Sequence, residues 1–198
     1  MNSADREKLR SRLQHLFPIA IAMKSFAFRS AGVKYANESD FVSGSGAAYY
    51  GGRWNPIGMR AIYASLDPIT AAREAYQNFT SRGFSPADIK PRVMAGIEFK
   101  CRSLLDLTAG KIRRRLGLTI EQILSEDWSG KQRAGKEPLT HSIAIESRHA
   151  GFEGILSPSA QDRNGKNIVI FLDSLQLKSF VRPISPEDLP PHPSLWPS

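Results

Sequence analysis

The sequence predicts an α+β fold with a mainly antiparallel sheet and flanking helices. The predicted strands and helices are short, and they do not follow the strand–helix–strand alternation that builds a parallel sheet. Val93, Ala95, Ile97 and Phe99 occupy alternate positions, which is the period of a half-buried strand. The 198 residues are enough for one substantial core or two small ones.

The chain begins with a predicted amphipathic helix over residues 3–17. Leu9, Leu13 and Leu16 recur at helical spacing between basic residues, and Pro18 ends the pattern. We interpret residues 1–24 as a helical extension that lies on the main domain or contacts a partner.

The next predicted elements are a short extended piece at residues 25–29, a loop rich in Gly and Ser, and a strand at residues 60–65. Asp67 and Pro68 then have the order of an N-cap followed by the first residue of a helix. The apolar stripe of this helix is expected to face the core, and it consists of Ile69, Ala72, Tyr76 and Phe79.

The second half of the chain carries further start and stop signals. Thr119 and Gln122 form a capping-box pattern that predicts a helix running through Trp128. Another helix is predicted over residues 139–150, followed by strands at 153–157 and 168–172. We assign residues 25–182 to the main domain and residues 183–198 to an irregular, proline-rich tail.

Several classes of protein are excluded by composition. No apolar run approaches the roughly 20 residues that span a bilayer, and the N-terminal region lacks the apolar stretch of a signal peptide, so we expect a cytoplasmic protein without a membrane partner. The single cysteine, Cys101, excludes an intramolecular disulfide and a Cys-rich zinc site. His141 and His149 lie eight residues apart, about two helical turns, so no metal is expected.

A formal net charge of +8 favours anionic partners such as nucleic acid, phosphates or an acidic protein. The densest basic run, residues 111–115, has no interleaved aromatic residues of the kind that bind single strands. A solvated helix face is the favoured interpretation of this run. A basic nucleic-acid-binding module without enzymatic activity remains the alternative function.

The common nucleotide and hydrolase motifs are absent. Gly44 and Gly46 lack the third glycine and the strand–helix context of a dinucleotide-binding fingerprint. The sequence contains neither a P-loop nor a G-x-S-x-G nucleophile elbow.

Arg53 is a candidate phosphate ligand. It follows two glycines and precedes Trp54, so a planar cation emerges from a loop whose backbone can approach a ligand closely. Stacking on Trp54 to stabilise a turn is an equally good interpretation. Arg29, between Phe28 and Ser30, is a less distinctive candidate.

Four further residues are ambiguous by themselves. Glu74 lies opposite the expected apolar stripe, where a glutamate is ordinarily solvated, and Tyr63 at a strand end is ordinarily part of the core. Ser159 follows Pro158 at the end of a predicted strand, where a serine ordinarily closes a turn. Asn167 precedes the next strand.

Taken together, these segments resemble the RES-domain family. The matching blocks are F-R at residues 28–29, G-G-R-W-N-P-x-G at 51–58, A-I-Y-A-S at 61–65, T-A-A-R-E at 70–74, and G-I-L-S-P-S-A at 154–160 with Asn167. The G-R-W-N-P-x-G block, with the tyrosine and the glutamate at matching distances after it, is the specific part of the resemblance.

The resemblance implies a fold similar to the ADP-ribosyltransferases, with a split antiparallel sheet around an NAD cleft. Members of the family are typically toxins of toxin–antitoxin pairs that deplete NAD or ADP-ribosylate a target. This implies NAD as substrate with no separate cofactor, a cognate Xre-type antitoxin that covers the cleft, a possible protein target, and nucleic acid contacted only through the antitoxin.

The same resemblance implies roles for individual residues. Arg29 and Arg53 would hold the NAD phosphates and the adjoining ribose. Tyr63 would pack at the nicotinamide side, and Trp54 and Asn167 would also bind NAD. Glu74 would act at the ribose, and Arg53 and Ser159 would complete the catalytic set.

Overall fold

A computed structural model describes residues 2–80 and 91–196, without the side chains of residues 78–80. Its sheet has the order β1-β2-β5-β4-β3-β6. The six strands are β1 Ile21–Gly32, β2 Ala61–Ser65, β3 Arg92–Asp106, β4 Gly154–Pro158, β5 Lys166–Phe171 and β6 Phe180–Pro183. Each strand pair is antiparallel except β3–β4, which is parallel. The predicted α+β class, with a mainly antiparallel sheet, is therefore confirmed.

The sheet closes on itself because β3 is long enough to pair with three other strands. Along one edge, residues 92–104 of β3 pair with β1. Along the other edge β3 pairs with β6 and, near its end, with β4. A single register point, Phe28 opposite Ser65, joins β1 to β2 and completes a circuit of five strands.

Eight helices among the described residues flank the sheet. They are α1 Ser3–Leu16, α2 Glu38–Phe41, α3 Ser45–Tyr50, α4 Pro68–Thr80, α5 Gly110–Leu116, α6 Ile120–Leu124, α7 Trp128–Arg133 and α8 Leu139–His149. The capping box of Thr119 and Gln122 is present. The helix it opens ends at Leu124 and does not run through Trp128 as expected, because the side chain of Asp127 accepts from Gly130 N and starts α7.

Two apolar layers lie on opposite faces of the sheet. Ile62, Ile97, Phe99 and Ile168 belong to the layer enclosed by the strands. The outer layer packs the other face against the helices, and its members include Leu13, Trp54, Leu105, Ile143, Phe152 and Phe171. Alternate residues of a strand point to opposite faces, so successive residues of β5, such as Ile168 and Val169, enter different layers.

Helix α1 is part of this outer layer, since Leu9, Leu13 and Leu16 are buried. Its polar side contacts α8, where Arg10 Nε donates to Glu146 Oε2 at 2.6 Å and Arg6 lies 3.6 Å from Glu146 Oε1. We call this contact the α1–α8 joint. The expected boundary after residue 24 falls inside β1, because pairing with β3 begins at Ile21.

The orientation of α4 differs from the expected one. Ile69 and Tyr76 are 62% and 60% exposed, whereas Thr70 and Ala71 are buried. The reason is polar docking at the start of the helix, where Thr70 bonds both Asp67, at 2.5 Å, and Asp162, at 3.0 Å. Phe79, assigned to the same stripe, lies outside the described side chains.

The ends of the described chain and its basic run are at the surface. Lys111, Arg114 and Arg115 are exposed on α5, as expected for a solvated face. After β6, Ile184 N donates to Gly96 O at 2.9 Å, and short 3-10 turns follow within the predicted tail. Among the described residues, no helix has the length and apolar character needed to cross a membrane.

Candidate functional site

One cleft of about 690 Å³ opens beside the sheet, which is within the size range of small-molecule sites. It is bordered by β1, β2, β5, α3, α4 and α7. Its lining includes six of the predicted site residues: Arg29, Arg53, Trp54, Tyr63, Glu74 and Asn167. The seventh, Ser159, is buried directly behind Glu74.

The floor of the cleft is one face of the central strands. Tyr63 of β2 pairs with Val169 of β5, and in the next row Ser65 pairs with Asn167, which in turn pairs with Ser157 of β4. Because cross-strand partners share a face of the sheet, these polar residues form a row that leads to the tip of Glu74.

Glu74 reaches into the cleft from α4 and is half-buried. Its Oε1 atom accepts a hydrogen bond of 2.6 Å from Ser159 Oγ and another of 2.7 Å from Asn167 Nδ2. Two neutral donors thus orient the carboxylate.

Ser159 lies in a loop whose hydrogen bonds fix the position of its hydroxyl. Its Oγ atom accepts from the backbone N–H groups of Gln161 and Asp162, each at 3.0 Å, while donating to Glu74. The loop is tied to α4 by the ion pair of Arg73 and Asp162 at 2.9 Å. The hydroxyl is fully engaged, so its geometry suits orientation of Glu74 and not nucleophilic attack.

Arg53 lies at the tip of a tight turn formed by its own sequence block. Gly52 and Asn55 pair through their backbones at 2.9 and 3.3 Å, and Trp54 anchors the turn with only 3% of its surface exposed. Arg53 Nη1 donates to Ile123 O at 2.9 Å and Glu126 O at 3.2 Å. Burial lowers the pKa of Arg53, and the nearby charges of Glu74 and Glu126 oppose this shift.

Tyr63 holds the same turn against the sheet. Its hydroxyl donates to Asn55 Oδ1 at 2.7 Å and accepts from Trp54 N at 2.8 Å. Burial raises the pKa of Tyr63, so the phenol is neutral. A Cβ at Gly52 would lie 2.5 Å from this hydroxyl, which explains why glycine precedes Arg53.

Arg29 is held at the other side of the cleft. Its guanidinium lies 5.4 Å from the ring centre of Phe41, and Nη1 donates to Tyr63 O at 3.4 Å. The Nε atom is buried without a hydrogen-bond partner. Burial, and then the charge of Arg92, lower the pKa of Arg29 to about 10. An anion in the cleft would relieve both effects.

A family model for the RES domain matches residues 26–191. The chain belongs to the RES-domain family. The resemblance inferred from the sequence blocks is thereby confirmed. The matched range begins within β1 and extends past β6, so the cleft lies within it. The division into residues 1–24, 25–182 and 183–198 stays a prediction.

Several named proteins are similar in sequence to this chain over more than half of its length. It is 31% identical over 133 residues to an NAD(+) phosphorylase, MbcT, of Mycobacterium tuberculosis, with 63% of this chain and 69% of that protein covered. The MbcT of Mycobacterium bovis gives the same values. A probable NAD(+) phosphorylase of Mycobacterium tuberculosis is 28% identical over 125 residues, and the match covers 63% of this chain and 55% of that protein.

A solved structure shares the fold over nearly the whole chain. It is the crystal structure of the Mycobacterium tuberculosis MbcT–MbcA toxin–antitoxin complex, with a TM-score of 0.70, 21% identity, and coverage of 91% of this chain and 94% of that chain. The match supports the mixed architecture of a closed sheet with flanking helices.

The RES cleft also contains residues that sequence reasoning missed. Arg92, Trp128 and Ser129 line it, and His141 Nε2 lies 2.7 Å from Gly52 O beneath the Arg53 turn. Arg92 stands outside any recognisable motif, so nothing local indicated it. Trp128 and Ser129 begin α7, and the sequence signal for the start of that helix was its N-cap residue, Asp127.

Glu126 is a further missed residue with a structural role. Its carboxylate accepts from Leu139 N at 2.8 Å and Thr140 N at 2.9 Å at the start of α8, while its carbonyl accepts from Arg53. Burial opposes its ionisation, but hydrogen bonds from Lys131 and Thr140 outweigh this and lower the pKa of Glu126. Glu126 therefore links the start of α8 to Arg53 of the cleft.

Proposed function

We propose that this chain cleaves the bond between nicotinamide and ribose in NAD and transfers the ADP-ribosyl group to inorganic phosphate, as a toxin of a toxin–antitoxin pair. The observation that carries the proposal is the Glu74 carboxylate, oriented by two donors inside a cleft that also holds Arg29 and Arg53. Relatives named NAD(+) phosphorylase support the same chemistry.

Glu74 is the proposed catalytic residue. When the C–N bond breaks, its electron pair leaves with nicotinamide, which departs as a neutral molecule and requires no proton. The positive charge that develops on the ribose is stabilised by a carboxylate already held in place. Ser159 and Asn167 prevent Glu74 from turning away as this charge develops.

The two arginines are the proposed ligands of the diphosphate. Guanidinium groups bind phosphate oxygens with two parallel hydrogen bonds. Arg29 and Arg53 both line the cleft and come from different elements, β1 and the turn before β2. Tyr63, with the edge of Trp54, provides the apolar surface proposed to receive the nicotinamide ring. NAD is the substrate, and we propose no further cofactor.

Phosphate is the proposed acceptor because the curated relatives are named phosphorylases. A phosphate oxygen forms the new bond at the ribose carbon that nicotinamide has left. Water, which would give free ADP-ribose, and a side chain of a target protein are the competing acceptors.

Product analysis tests the proposal. Purified protein is incubated with NAD, with and without inorganic phosphate, and products are identified by mass spectrometry. We expect nicotinamide together with phosphorylated ADP-ribose, and slower NAD loss without phosphate. Intact NAD under all conditions would refute the enzyme assignment. Phosphate-independent release of ADP-ribose would refute the acceptor alone.

A cognate antitoxin protein that covers the cleft is the proposed partner, supported by the MbcT–MbcA complex as fold neighbour. Tyr49, Tyr50 and Ile57 are 73%, 68% and 62% exposed, and Tyr50 borders the cleft. Nucleic acid would be reached only through this partner. An antitoxin bound in equal amount should stop NAD loss, and Tyr50→Asp should weaken that inhibition. Unimpeded NAD loss in a stable complex would contradict the covered cleft.

A further inference from the structure

We infer that Ser65 is a positioning residue for the proposed reaction, and that it acts on Glu74 through the amide of Asn167. The inference rests on the proposed function for its catalytic readout only. Ser65 is the last residue of β2, and it does not line the cleft itself.

The three residues form a chain of hydrogen bonds across two strands. Ser65 Oγ donates to Asn167 Oδ1 at 2.7 Å, and Asn167 Nδ2 donates to Glu74 Oε1 at 2.7 Å. Ser65 and Asn167 are directly paired in the β2–β5 register. Ser65 is also the register partner of Phe28 in β1, so its backbone is held from both sides.

Burial makes the direction of these bonds matter. Ser65 is only 3% exposed, so its hydroxyl requires a partner inside the protein. A serine hydroxyl that donates to the amide oxygen leaves the amide nitrogen to face the carboxylate. In the reverse orientation, an amide oxygen would face a carboxylate oxygen at hydrogen-bond distance, and both of these atoms are acceptors.

Ser65 and Glu74 together hold Asn167 in the orientation in which its amide nitrogen faces the carboxylate. Without the Ser65 hydroxyl, Asn167 Oδ1 loses a buried donor, and the amide is held at one end only. The consequence falls on the position of the Glu74 carboxylate and not on the contacts that bind NAD. Its signature is a lower kcat at a nearly unchanged KM.

The decisive variants are Ser65→Ala and Ser65→Thr, with Ser103→Ala as the matched control. Ser103 is also a buried strand serine, 4% exposed, and its hydroxyl donates to Gly151 O. For Ser65→Ala, we expect kcat to fall about three- to tenfold and KM for NAD to change less than about twofold. Ser65→Thr, which keeps the hydroxyl, should restore the wild-type kcat.

A second measurement does not depend on turnover. The side-chain amide resonance of Asn167, assigned by its loss in Asn167→Ala, is used to follow the exchange of its protons with solvent by NMR at fixed pH. Exchange should be faster in Ser65→Ala than in the wild type, because the amide is held at one end only, and unchanged in Ser103→Ala.

The outcomes separate this inference from the proposed function. If the wild type does not consume NAD, the proposed function fails, and the exchange of the Asn167 amide protons still decides the role of Ser65. Unchanged amide exchange in folded Ser65→Ala overturns the inference. Equally faster exchange in Ser103→Ala also overturns it, because the effect would then reflect general loss of packing.

Discussion

The α1–α8 joint and the cleft each combine arginines with a glutamate, but the carboxylates in the two places accept hydrogen bonds from different kinds of donor. In the joint, Glu146 is completely buried and bonded by Arg10, with Arg6 and His149 beside it. In the cleft, the hydrogen bonds to Glu74 Oε1 come from the neutral donors Ser159 and Asn167.

The arginines show the same contrast. The hydrogen bond to Glu146, and then its charge, raise the pKa of Arg10. Burial, and then a second cation, lower the pKa of Arg29, whose Nε atom has no partner. Arg10 is stabilised by the protein in its charged form, whereas Arg29 is held charged against the preference of its surroundings.

This difference separates structural from functional charges. A charge that is matched within the fold contributes to stability, and its removal leaves a partner uncompensated. A buried guanidinium with an unbonded donor, such as Arg29 with its Nε atom, costs stability and remains available to a ligand. Single substitutions of cleft and joint residues test the distinction between these two kinds of charge, and the largest effect is expected at Glu74.

Glu74→Gln should lower kcat for NAD cleavage by about 10² to 10³, because the neutral amide cannot stabilise the developing positive charge. Steady-state kinetics with mass spectrometric product detection measures this. Glu146→Gln serves as the comparison and should retain wild-type kcat when folded. Activity within a few-fold of wild type in folded Glu74→Gln would show that the carboxylate is not catalytic.

Arg29→Gln should raise KM for NAD about ten- to a hundredfold, since a charged hydrogen-bond donor to the diphosphate is lost. Its melting temperature should stay level or rise, because a poorly matched charge is removed. Initial rates and thermal unfolding measure the two effects. Arg10→Gln should show the reverse pattern, with KM unchanged. A large loss of stability in Arg29→Gln would place Arg29 among the structural charges.

Glu146→Gln should lower the free energy of unfolding by about 2 kcal/mol at neutral pH, because Arg10 loses its charged partner. Burial opposes ionisation of Glu146, but the hydrogen bonds from Arg10 and His149 outweigh it and lower the pKa. This stability is therefore present above the unfolded pKa of about 4.3 and is lost as pH falls through the folded value.

Urea unfolding at pH 7 and pH 3 checks this, with the exposed Glu7→Gln on α1 as control. The difference between wild type and Glu146→Gln should shrink at pH 3. A difference that stays constant with pH would mean that the joint depends on shape and not on charge.

Tyr63→Phe should lower the free energy of unfolding by about 1 kcal/mol, since Asn55 Oδ1 and Trp54 N lose a buried partner. The rate should fall only a few-fold, because the hydroxyl orients the Arg53 turn without touching Glu74. Unfolding curves and kcat measured on one preparation test this. A rate loss as large as that of Glu74→Gln would assign the phenol a direct catalytic role.

Local signals in the sequence were dependable where one hydrogen-bond pattern decides the structure. The capping box at Thr119 and the helix start at Pro68 are present as expected. The inward face of α4 was predicted wrongly, because the large side chains of Ile69 and Tyr76 have the spacing of a core-facing stripe. The bond of Thr70 to Asp162 helps to fix the helix with Thr70 inward, and no local pattern records this long-range contact.

For the site, the sequence blocks identified seven residues, and the fold brings all of them to one cleft or directly behind it. Their roles are proposals that the variants above test. Arg92 and His141 were missed because they come from segments far from the motif blocks, and only strand pairing and helix packing bring them near. Asn55 was visible in the G-R-W-N-P block, but its buried amide contacts were not.

The sequence by itself determined the family, the elements with strong local start signals, and the residue types available for chemistry. The tertiary structure decided which charges are matched, which face of α4 points inward, and which serine orients Asn167. The physical reason is that helix starts and strand alternation depend on neighbours within a few residues. The state of a buried charge depends on atoms that only long-range strand pairing and helix packing bring together.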